Sequence, residues 1–475
     1  MPTIHKTSSG PEWRIKPSER KFLLLIGDFL LAVISIFLAL YLWASADSSL
    51  TFNWQFITNQ PPFWYYLLPF FWILLLSELY DVRRSTKKTE TFQGVLMAAA
   101  ISGIFYLVVF FLSPPRALPR LGVAYFILFA SVLTLIWRLI YIRIFTQPLF
   151  MRRVVVVGAG RAGTELVKII QGLWPPPFYL VGFADDDSEK IGTELMELPV
   201  LGGGADLKKM IADHNISDLI FSISGDMQPV MFQALLEAEE NGIEVITMPV
   251  VYEQLLGRVP ISLLQSDWVL RSFVDEAHSS GMYDLGKRLL DIIGAVVGLI
   301  LMVALLPIIG LATLLDSGWP LFFTQVRTGK NNRPYKIIKF RTMRQDAEKD
   351  GIARMATEND DRVTRVGRIM RKSHLDELPQ FFNVLKGEMS LVGPRAERPE
   401  LIEQLQTRIP FYRARLFVKP GLTGWAQVNF HYASTVEDTA VKLEYDLYYI
   451  KHRNLLLDFT ILTRTVGDVI GFRGQ

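Results

Sequence analysis

Cysteine is absent from this 475-residue chain, and histidine occurs only six times. Without cysteine the protein has no disulfides, no thiol nucleophile and no cysteine-ligated zinc or iron–sulfur centre. The histidines are scattered and form no short pair of metal-binding spacing, so any metal ion is expected to have oxygen ligands. The formal net charge is only +3, which implies no general polyanion-binding field, and we expect no nucleic-acid partner.

Charged residues are also missing from long stretches of the N-terminal part. Half of all residues are hydrophobic, and the mean hydropathy is +0.26, high for a soluble protein. A helix of about 20 apolar residues crosses a bilayer core. We therefore predict four transmembrane helices, at residues 22–43, 63–79, 94–112 and 121–137.

The positions of lysine and arginine predict how these helices are oriented. Basic residues crowd positions 14–21, are absent from 22–82, and reappear at 83–88 and beyond the fourth apolar run. Because basic loops stay in the cytoplasm, we expect the N-terminus and the region after the fourth helix to lie there. Asp28 interrupts the first run and is either a helix-end residue or an intramembrane functional group.

The middle of the chain alternates short β-branched runs with helical patterns. The buried-strand pattern Arg153–Val157 leads into a G-x-G-x-x-G turn and a helix, the context in which this motif is informative. Acidic residues 185–187 follow the next strand pattern, about where a ribose-binding acid belongs. Further strand patterns at 218–223 and 243–248 complete a predicted Rossmann-like sheet. The glycines of the turn are Gly158, Gly160 and Gly163.

This glycine-rich turn has two interpretations. It either binds a nucleotide or another small ligand, or it only permits close packing of the helix against the strand. Under the second interpretation, alanine at Gly160 is expected to impair folding.

A fifth apolar run, at residues 289–315, is long enough for a tilted transmembrane helix. Basic residues stand on both sides of it, which places both flanks in the cytoplasm. Pro307 lies inside the run, where it removes a backbone hydrogen bond and bends the helix. We therefore predict a re-entrant hairpin that enters one leaflet and returns.

Beyond this run, Asp376 and Glu377 form a carboxylate pair at a predicted helix start. Pro379 follows them, and an apolar helical stretch ends at Gly387, so the helix is predicted to begin between residues 375 and 378. A helix N-terminus favours negative charge, and the pair is either a simple cap or a reactive site. An ionised carboxylate beside arginines suits attack on a phosphoryl group.

Three further blocks surround the pair: KFRTM at 339–343, SLVGPR at 390–395 and KPGLTGWAQV at 419–428. Alternate residues of a strand face the same side, so the two cations of the first block form either a phosphate-binding face or a solvated one. A basic helix is predicted just before the pair. The candidate cations are Lys339, Arg341, Arg371 and Arg395, and the candidate nucleotide or sugar loops contain Gly393, Pro394, Thr423 and Gly424.

These four blocks, in this order and at this spacing, resemble the bacterial sugar transferases of the monotopic phosphoglycosyl transferase superfamily. The resemblance is close over residues 285–475 and extends to the whole chain in architecture. It implies transfer of a hexose 1-phosphate from a UDP-sugar to polyprenyl (undecaprenyl) phosphate. UMP is released, and the product starts a surface glycan.

The resemblance also implies residue roles. Asp376 is expected to be the nucleophile of a covalent aspartyl phospho-sugar intermediate and Glu377 to bind Mg²⁺, although residue chemistry alone fits either carboxylate. The helix dipole and nearby cations are expected to keep Asp376 ionised. The four candidate cations would hold phosphate oxygens. Ala396 follows Arg395 where the family usually has proline.

The predicted fold class is a membrane protein with α and α/β parts. The expected partners are a UDP-sugar (glucose or galactose), polyprenyl phosphate, the lipid bilayer and a second copy in a homodimer. The expected location is the bacterial inner membrane, with the active site on the cytoplasmic face. The predicted domains are a four-helix transmembrane domain (1–150), a Rossmann-like domain (151–264), a linker (265–284), the re-entrant hairpin (285–318) and an α+β catalytic domain (319–475) whose C-terminal helices lie on the membrane.

Two alternatives come from other functional classes. A membrane-bound NAD-dependent nucleotide-sugar dehydratase would share the four membrane helices and the Rossmann-like domain, but needs a helical Y-x-x-x-K pair. Tyr335 and Lys339 have that spacing but lie in a predicted strand. A non-catalytic membrane scaffold would need no ordered set of charged blocks.

Overall fold

The computed structural model describes residues 17–46, 51–80, 85, 87–112, 119–145, 151–174, 176–223, 225–263, 281–344, 362–430 and 435–470. The chain divides into two compact units, Met1–Leu255 and Leu256–Gln475. Residues 256–263 therefore belong to the second unit, where the Trp425 indole donates a hydrogen bond to the Gly257 carbonyl (2.7 Å). Most of the predicted linker, 265–280, lies outside the described residues.

In the first unit, three helices are long and apolar enough to cross a membrane, and they coincide with the first, third and fourth predicted spans. A short helix α2 (Trp54–Asn59) precedes the second span, and Asn53 caps it by accepting a hydrogen bond from the Phe56 amide (2.8 Å). The three long helices are α1 (Pro17–Ala46), α4 (Lys88–Leu112) and α5 (Arg120–Phe145).

The second predicted span is not one continuous α-helix. It consists of a 3₁₀ helix (Phe63–Leu67), α3 (Leu68–Leu75) and a 3₁₀ turn (Ser77–Tyr80). Pro69 in the first turn of α3 has no amide hydrogen, so it cannot donate the bond that an uninterrupted helix needs. The stretch from 63 to 75 is about 22 Å long, short of the ~30 Å hydrocarbon core.

A buried ion pair joins these helices. Arg138 of α5 donates to the Asp28 carboxylate of α1 (2.6 Å), and both side chains are fully buried. The same guanidinium also donates to the Leu79 carbonyl (2.7 Å). Asp28 is therefore the partner of an arginine on another helix, a role that neither of its two sequence-based interpretations named.

The rest of the first unit is a sheet with helices. The sheet has the strand order β3-β4-β2-β1-β5-β6, and all its pairs are parallel except β3 with β4. The predicted strands of the middle region are confirmed. The elements are β1 (Arg153–Val157), α6 (Arg161–Gln171), β2 (Tyr179–Ala184), β3 (Glu194–Leu195), β4 (Leu198–Gly202), α7 (Leu207–His214), β5 (Asp218–Phe221), α8 (Pro229–Glu240), β6 (Glu244–Thr247) and α9 (Met248–Leu256).

Strand β1 is buried on both faces, which explains its unbroken run of valines. Val155 and Val157 belong to one apolar cluster with Leu207 of α7, whereas Val156 belongs to another with Val167 of α6. Helices therefore cover both sides of the sheet.

The three glycines of the turn after β1 have different reasons to be glycine. Gly158 has a φ of +106°, and a Cβ at Gly163 would lie 2.0 Å from the Gly158 carbonyl oxygen. A Cβ at Gly160 would meet no atom within 4 Å. The expectation that alanine at Gly160 impairs folding is therefore wrong, because Gly163 provides the close approach of α6 to the turn.

The second unit begins with α10 (Gly281–Ser317), an apolar helix that continues through Pro307 without interruption. The proline therefore does not divide it into the two arms of the predicted hairpin. Strands β7 and β8 follow as an antiparallel hairpin, and β9 pairs with β10 in parallel. The elements are β7 (Phe322–Thr328), β8 (Pro334–Phe340), α11 (Arg365–Lys372), a 3₁₀ helix (Leu375–Gln380), α12 (Phe381–Lys386), β9 (Ser390–Val392), α13 (Pro399–Leu405), a 3₁₀ helix (Tyr412–Phe417), β10 (Gly421–Thr423), α14 (Trp425–Asn429), α15 (Val436–His452) and α16 (Leu455–Ile470).

Of the two C-terminal helices expected to lie on the membrane, α15 packs into the core of the second unit. Leu443, Leu447 and Ile450 of α15 are buried in the core of the second unit, so the apolar face of that helix is already covered. α16 exposes Leu455 and Leu456 and so keeps an apolar surface for a bilayer.

The glycine turn yields a first prediction. Gly163→Ala should lower the apparent Tm of the full-length protein by about 5 °C, because the new methyl group meets a backbone carbonyl and overpacking costs about 2 kcal/mol. Gly160→Ala, the matched control, should change the Tm by about 1 °C or less. Differential scanning fluorimetry in detergent measures both, and equal losses would contradict this assignment.

Candidate active site

The carboxylate pair lies between two short α-helices, α11 and α12. α11 ends at Lys372, and His374 with a φ of +55° reverses the chain. The 3₁₀ helix that follows carries Asp376 and Glu377 and leads into α12, which ends at Gly387 with a φ of +84°. The predicted start between residues 375 and 378 matches the 3₁₀ helix, whereas the α-helix itself begins only at Phe381; the predicted stop at Gly387 is confirmed.

Two cations from distant blocks meet on one oxygen of Glu377. Lys339 Nζ lies 2.6 Å from Glu377 Oε1, and Arg395 Nη2 lies 2.9 Å from the same oxygen. Lys339 comes from β8 and Arg395 from the loop after β9, whereas the carboxylate itself is buried. The structure therefore brings three of the four sequence blocks together at one atom.

Asp376 is also buried but is held differently. Its Oδ2 lies 3.9 Å from Lys339 Nζ, too far for a hydrogen bond. Within the described part of the chain, no donor is bonded to its carboxylate. One carboxylate of the pair is therefore anchored, and the other has oxygens available to a substrate.

The two carboxyl groups have opposite pKa shifts. Burial raises the pKa of Asp376, Lys339 opposes this, and the charge of Glu377 raises it again. Burial also acts to raise the pKa of Glu377, but Arg395 and Lys339 outweigh it and hold that pKa far below its usual range. The cations expected to keep Asp376 ionised thus act mainly on Glu377.

The other two candidate cations lie in different surroundings. Arg371 donates to Thr342 Oγ1 (3.0 Å), and its charge lowers the pKa of Asp376, so it belongs to the site. Arg341 is buried and donates to the Ser317 carbonyl (2.6 Å) and to the Gly318 carbonyl at the end of α10. Phosphate binding by Arg341 stays a prediction.

The two glycine-rich loops form one backbone layer. The Gly393 amide donates to the Thr423 carbonyl and the Gly421 amide to the Pro394 carbonyl, both at 2.9 Å. A Cβ at Gly424 would lie 2.2 Å from the Gly393 carbonyl oxygen, so both loops need glycine where they meet. This pairing fixes the loop that presents Arg395 to Glu377.

Side chains in the second loop serve packing. Thr423 Oγ1 is hydrogen-bonded to Thr465 Oγ1 (2.6 Å), which ties the loop to α16. Trp425 is buried and stacks on Tyr448 with ring centroids 5.7 Å apart. This tryptophan therefore packs in the core of the second unit.

Sequence reasoning missed the polar residues that support the site. Arg415 donates to the Arg395 carbonyl (3.0 Å) and to Asp446 (2.9 Å). Lys442 bonds Glu397 (3.1 Å) and, with Arg415, lowers the pKa of Glu397 to about 2 against the effect of burial. These residues are far apart in the sequence and form no local pattern that would identify them.

Asn383 is a second missed residue. Its side chain is fully buried, donates to the Lys336 carbonyl (2.8 Å) and accepts from the Ile338 amide (3.3 Å). It therefore fastens α12 to β8, so the helix after the carboxylate pair and the strand that carries Lys339 keep a fixed distance.

The site suits a magnesium ion that is shared with a substrate. Among the described residues there is no cluster of three or more histidine or acidic side chains. Mg²⁺ commonly uses one or two carboxylates together with substrate phosphates. Both cations bind Glu377 Oε1, which leaves its second oxygen without a donor in the described part of the chain, so these residues fit such an ion.

The tyrosine and lysine that match the Y-x-x-x-K pair of the dehydratase alternative do not lie on a helix. Tyr335 and Lys339 both lie in β8, and the Tyr335 side chain is buried. The predicted strand is confirmed, so this pair lacks the helix that the dehydratase alternative needs.

The sequence model of the bacterial sugar transferase family matches residues 282–471, and that of a CoA-binding domain matches residues 76–249. Among solved structures, a UDP-D-quinovosamine 4-dehydrogenase from Vibrio fischeri is 25% identical over 24% of this chain and 92% of that one, with a TM-score of 0.19.

Two curated relatives match longer stretches. A UDP-N-acetylgalactosamine-undecaprenyl-phosphate N-acetylgalactosaminephosphotransferase from Aeromonas hydrophila is 43% identical over 228 residues, 48% of this chain and 52% of that protein. A UDP-glucose:undecaprenyl-phosphate glucose-1-phosphate transferase from Xanthomonas campestris pv. campestris is 32% identical over 340 residues, 69% of this chain and 68% of that protein. The chain thus covers about half of the first relative and two thirds of the second. With this extent of similarity and a site built from all four sequence blocks, the chain belongs to the bacterial sugar transferase family.

Proposed function

We propose that the protein transfers a hexose 1-phosphate from a UDP-sugar to polyprenyl (undecaprenyl) phosphate. The product is a polyprenyl-diphosphate-sugar, and UMP is released. The observation that carries this proposal is the buried pair in which Lys339 and Arg395 anchor Glu377 while Asp376 keeps its oxygens available. The Aeromonas and Xanthomonas relatives are both named for a UDP-sugar and undecaprenyl phosphate.

The first step is attack by a carboxylate oxygen of Asp376 on the sugar-bearing phosphorus. The bond from that phosphorus to the bridging oxygen breaks, and its electron pair leaves with UMP. The product is an aspartyl phospho-sugar, an acyl phosphate. A carboxylate needs no general base for this attack, and burial makes Asp376 more basic and hence a stronger nucleophile.

The second step returns the enzyme to its starting state. A phosphate oxygen of the polyprenyl acceptor attacks the same phosphorus, and Asp376 leaves as a carboxylate. In this proposal Lys339, Arg371 and Arg395 hold the phosphoryl oxygens in both steps, and the planar fork of arginine suits that contact. When bound through Glu377 and substrate phosphates, Mg²⁺ would neutralise charge on the transferring group.

We further propose that α10 re-enters the membrane. As a straight helix its 37 residues would measure about 55 Å, well over the ~30 Å hydrocarbon core. Near one end Arg288 donates to the Val384 carbonyl (2.9 Å), and at the other Arg341 donates to the Ser317 carbonyl (2.6 Å). Because both ends of α10 bond the same unit, both ends and the active site lie on the same side of the bilayer. We assign that side to the cytoplasmic face of the bacterial inner membrane.

We infer a Rossmann-like fold for the sheet of the first unit, whose parallel order β4-β2-β1-β5-β6 is that of doubly wound sheets. Its role is proposed to be structural. Asp185 Oδ2, the acid expected on a ribose, instead accepts a hydrogen bond from the Ala159 amide of the turn (2.7 Å). The homodimer stays a prediction.

The UDP-sugar that reacts with the protein identifies the sugar that is transferred. The two relatives are named for N-acetylgalactosamine and glucose, and the family resemblance implies glucose or galactose. The covalent intermediate offers a direct reading, because its mass identifies the sugar.

The second prediction tests the proposed function through that intermediate. Incubation of the wild-type protein with a panel of UDP-sugars and no lipid acceptor should add one sugar phosphate and release UMP, because the first step needs no lipid acceptor. Asp376→Asn should gain no mass, whereas Glu377→Gln should form the same adduct at least about 100-fold more slowly. Intact-protein mass spectrometry measures all three.

The control is Glu403→Gln, which removes an exposed carboxylate on α13 and should react like wild type. An adduct on Asp376→Asn but not on Glu377→Gln would reverse the two roles. If UMP appears only when lipid is present, the sugar phosphate is transferred directly to the lipid and the covalent mechanism is wrong.

The third prediction uses the opposite pKa shifts. A raised folded-state pKa means that ionisation of Asp376 costs stability above that pKa, so Asp376→Asn should raise the Tm at neutral pH by a few degrees. The gain should vanish as the pH falls below the unfolded value of ~3.9. A lowered pKa means that ionised Glu377 stabilises the fold above the unfolded value of ~4.3 and loses that effect at lower pH.

Glu377→Gln should therefore lower the Tm at neutral pH. The expected cost is about 2 kcal/mol, less than the ~3–5 kcal/mol of a fully buried pair, because Arg395 is 43% exposed. Differential scanning fluorimetry across pH compares the variants, and a lower Tm for Asp376→Asn at neutral pH would contradict the assignment.

The fourth prediction concerns re-entry. The chain has no cysteine, so Met282→Cys and Trp319→Cys each introduce one exposed thiol at opposite ends of α10. Both should react with an impermeant maleimide in inside-out vesicles only. Trp54→Cys, between the first two predicted spans, should react in right-side-out vesicles only. Reaction of the cysteine at 319 from outside would make α10 a full crossing.

A further inference from the structure

A basic cavity lies in the second unit at the C-terminal end of α10. It has a volume of about 760 Å³, and its lining includes three arginines, Arg344, Arg365 and Arg368, together with Asp316. Neither carboxylate of the pair lines it, nor do Lys339 and Arg395. The cavity is thus separate from the candidate active site.

Local structure explains why the three arginines meet. Met343 and Val363 form an antiparallel bridge, and the Arg344 amide donates to the Arg362 carbonyl (3.0 Å), so Arg344 lies beside the start of α11. Arg365 and Arg368 are three residues apart on α11 and therefore share a face of that helix. Thr364 caps the helix by accepting from the Gly367 amide (3.0 Å).

The other polar groups of the lining already have partners. Asp316 Oδ2 accepts from the Val366 amide (2.8 Å), and Ser317 Oγ donates to the Thr313 carbonyl (3.1 Å). No acidic side chain in the described ranges forms an ion pair with any of the three arginines. The unused groups of the cavity are therefore guanidinium donors, whose preferred ligand is a phosphate or another oxyanion.

Exposed apolar residues that lie close to the lining residues in the chain indicate where that anion comes from. Leu315 is 81% exposed, Trp319 is 70% exposed, and Ile369 beside Arg368 is 66% exposed. All three lie at the end of a membrane helix or next to the arginines. Exposed leucine, isoleucine and tryptophan beside a basic pocket are typical of a membrane surface with anionic headgroups.

We propose that this arginine cavity binds the headgroup phosphate of an anionic bilayer phospholipid. The phosphate accepts hydrogen bonds from Arg344, Arg365 and Arg368, while the acyl chains lie along Leu315 and Ile369. The proposal requires only that the protein resides in a membrane, and it stands independently of the transfer reaction. It assigns α11 a bilayer contact one helical turn before Arg371, which reaches the active site.

The test uses the full-length protein in nanodiscs of phosphatidylcholine in which phosphatidylglycerol is titrated. The Tm of the wild-type protein should rise with the phosphatidylglycerol fraction and saturate. Each arginine near an anionic surface contributes about 1 kcal/mol, so Arg365→Gln and Arg368→Gln should each require about fivefold more phosphatidylglycerol for the half-maximal shift. Arg408→Gln, an equal charge change at an exposed site outside the cavity, should titrate like wild type.

Two further titrations distinguish a phospholipid headgroup from other phosphate ligands. Inorganic phosphate in detergent should give no saturable Tm shift, and a shift lost in Arg368→Gln would make the ligand a soluble anion and overturn the proposal. Polyprenyl phosphate in phosphatidylcholine should act equally on wild type and Arg368→Gln. An effect of the substitution with polyprenyl phosphate alone, or no response to phosphatidylglycerol, would also overturn it.

Discussion

Glu377 Oε1 accepts hydrogen bonds from two cations at once, Lys339 at 2.6 Å and Arg395 at 2.9 Å, and the geometry of the site depends on this contact. It joins β8, the 3₁₀ helix of the carboxylate pair and the loop after β9. Because the carboxylate is buried, the loss of either cation would leave a charge without full compensation. The buried groups around Arg415 and Asn383 keep these three elements in register.

The same contact gives the two neighbouring carboxyl groups, Asp376 and Glu377, opposite pKa shifts. Two adjacent acids in one buried site cannot ionise equally easily, and the nearer cations determine which ionises first. Glu377 takes both cations and becomes an anchored anion, whereas Asp376 is left more basic and without a hydrogen-bond donor among the described residues. In the proposed mechanism, a nucleophile and a binding group thus arise from consecutive residues without histidine or cysteine.

Helix α10 links this chemistry to the membrane. Asp291 near its start accepts from the Ser390 hydroxyl (2.9 Å) and the Leu391 amide (2.8 Å), and the carbonyl of Ser317 at its end accepts from Arg341. The second unit is therefore bonded to the helix at two positions far apart along it, and under the proposed re-entry these bonds fix how the site faces the bilayer. The arginine cavity lies at the same end of α10 as Ser317. The proposed contact with a lipid headgroup and the position of the active site therefore depend on the same helix.

The sequence by itself determined the features that depend on composition or on residues close together in the chain: the absence of thiols, the valine strands, the glycine stop at Gly387 and the four motif blocks. Local periodicity and turn chemistry carry that information. Only the tertiary structure decided that Pro69 divides the second apolar run, that Gly163 rather than Gly160 is needed for packing, and that the cations lie on Glu377 rather than Asp376. The physical reason is that close contacts and pKa shifts are set by groups brought together from distant positions, and no local pattern records those distances.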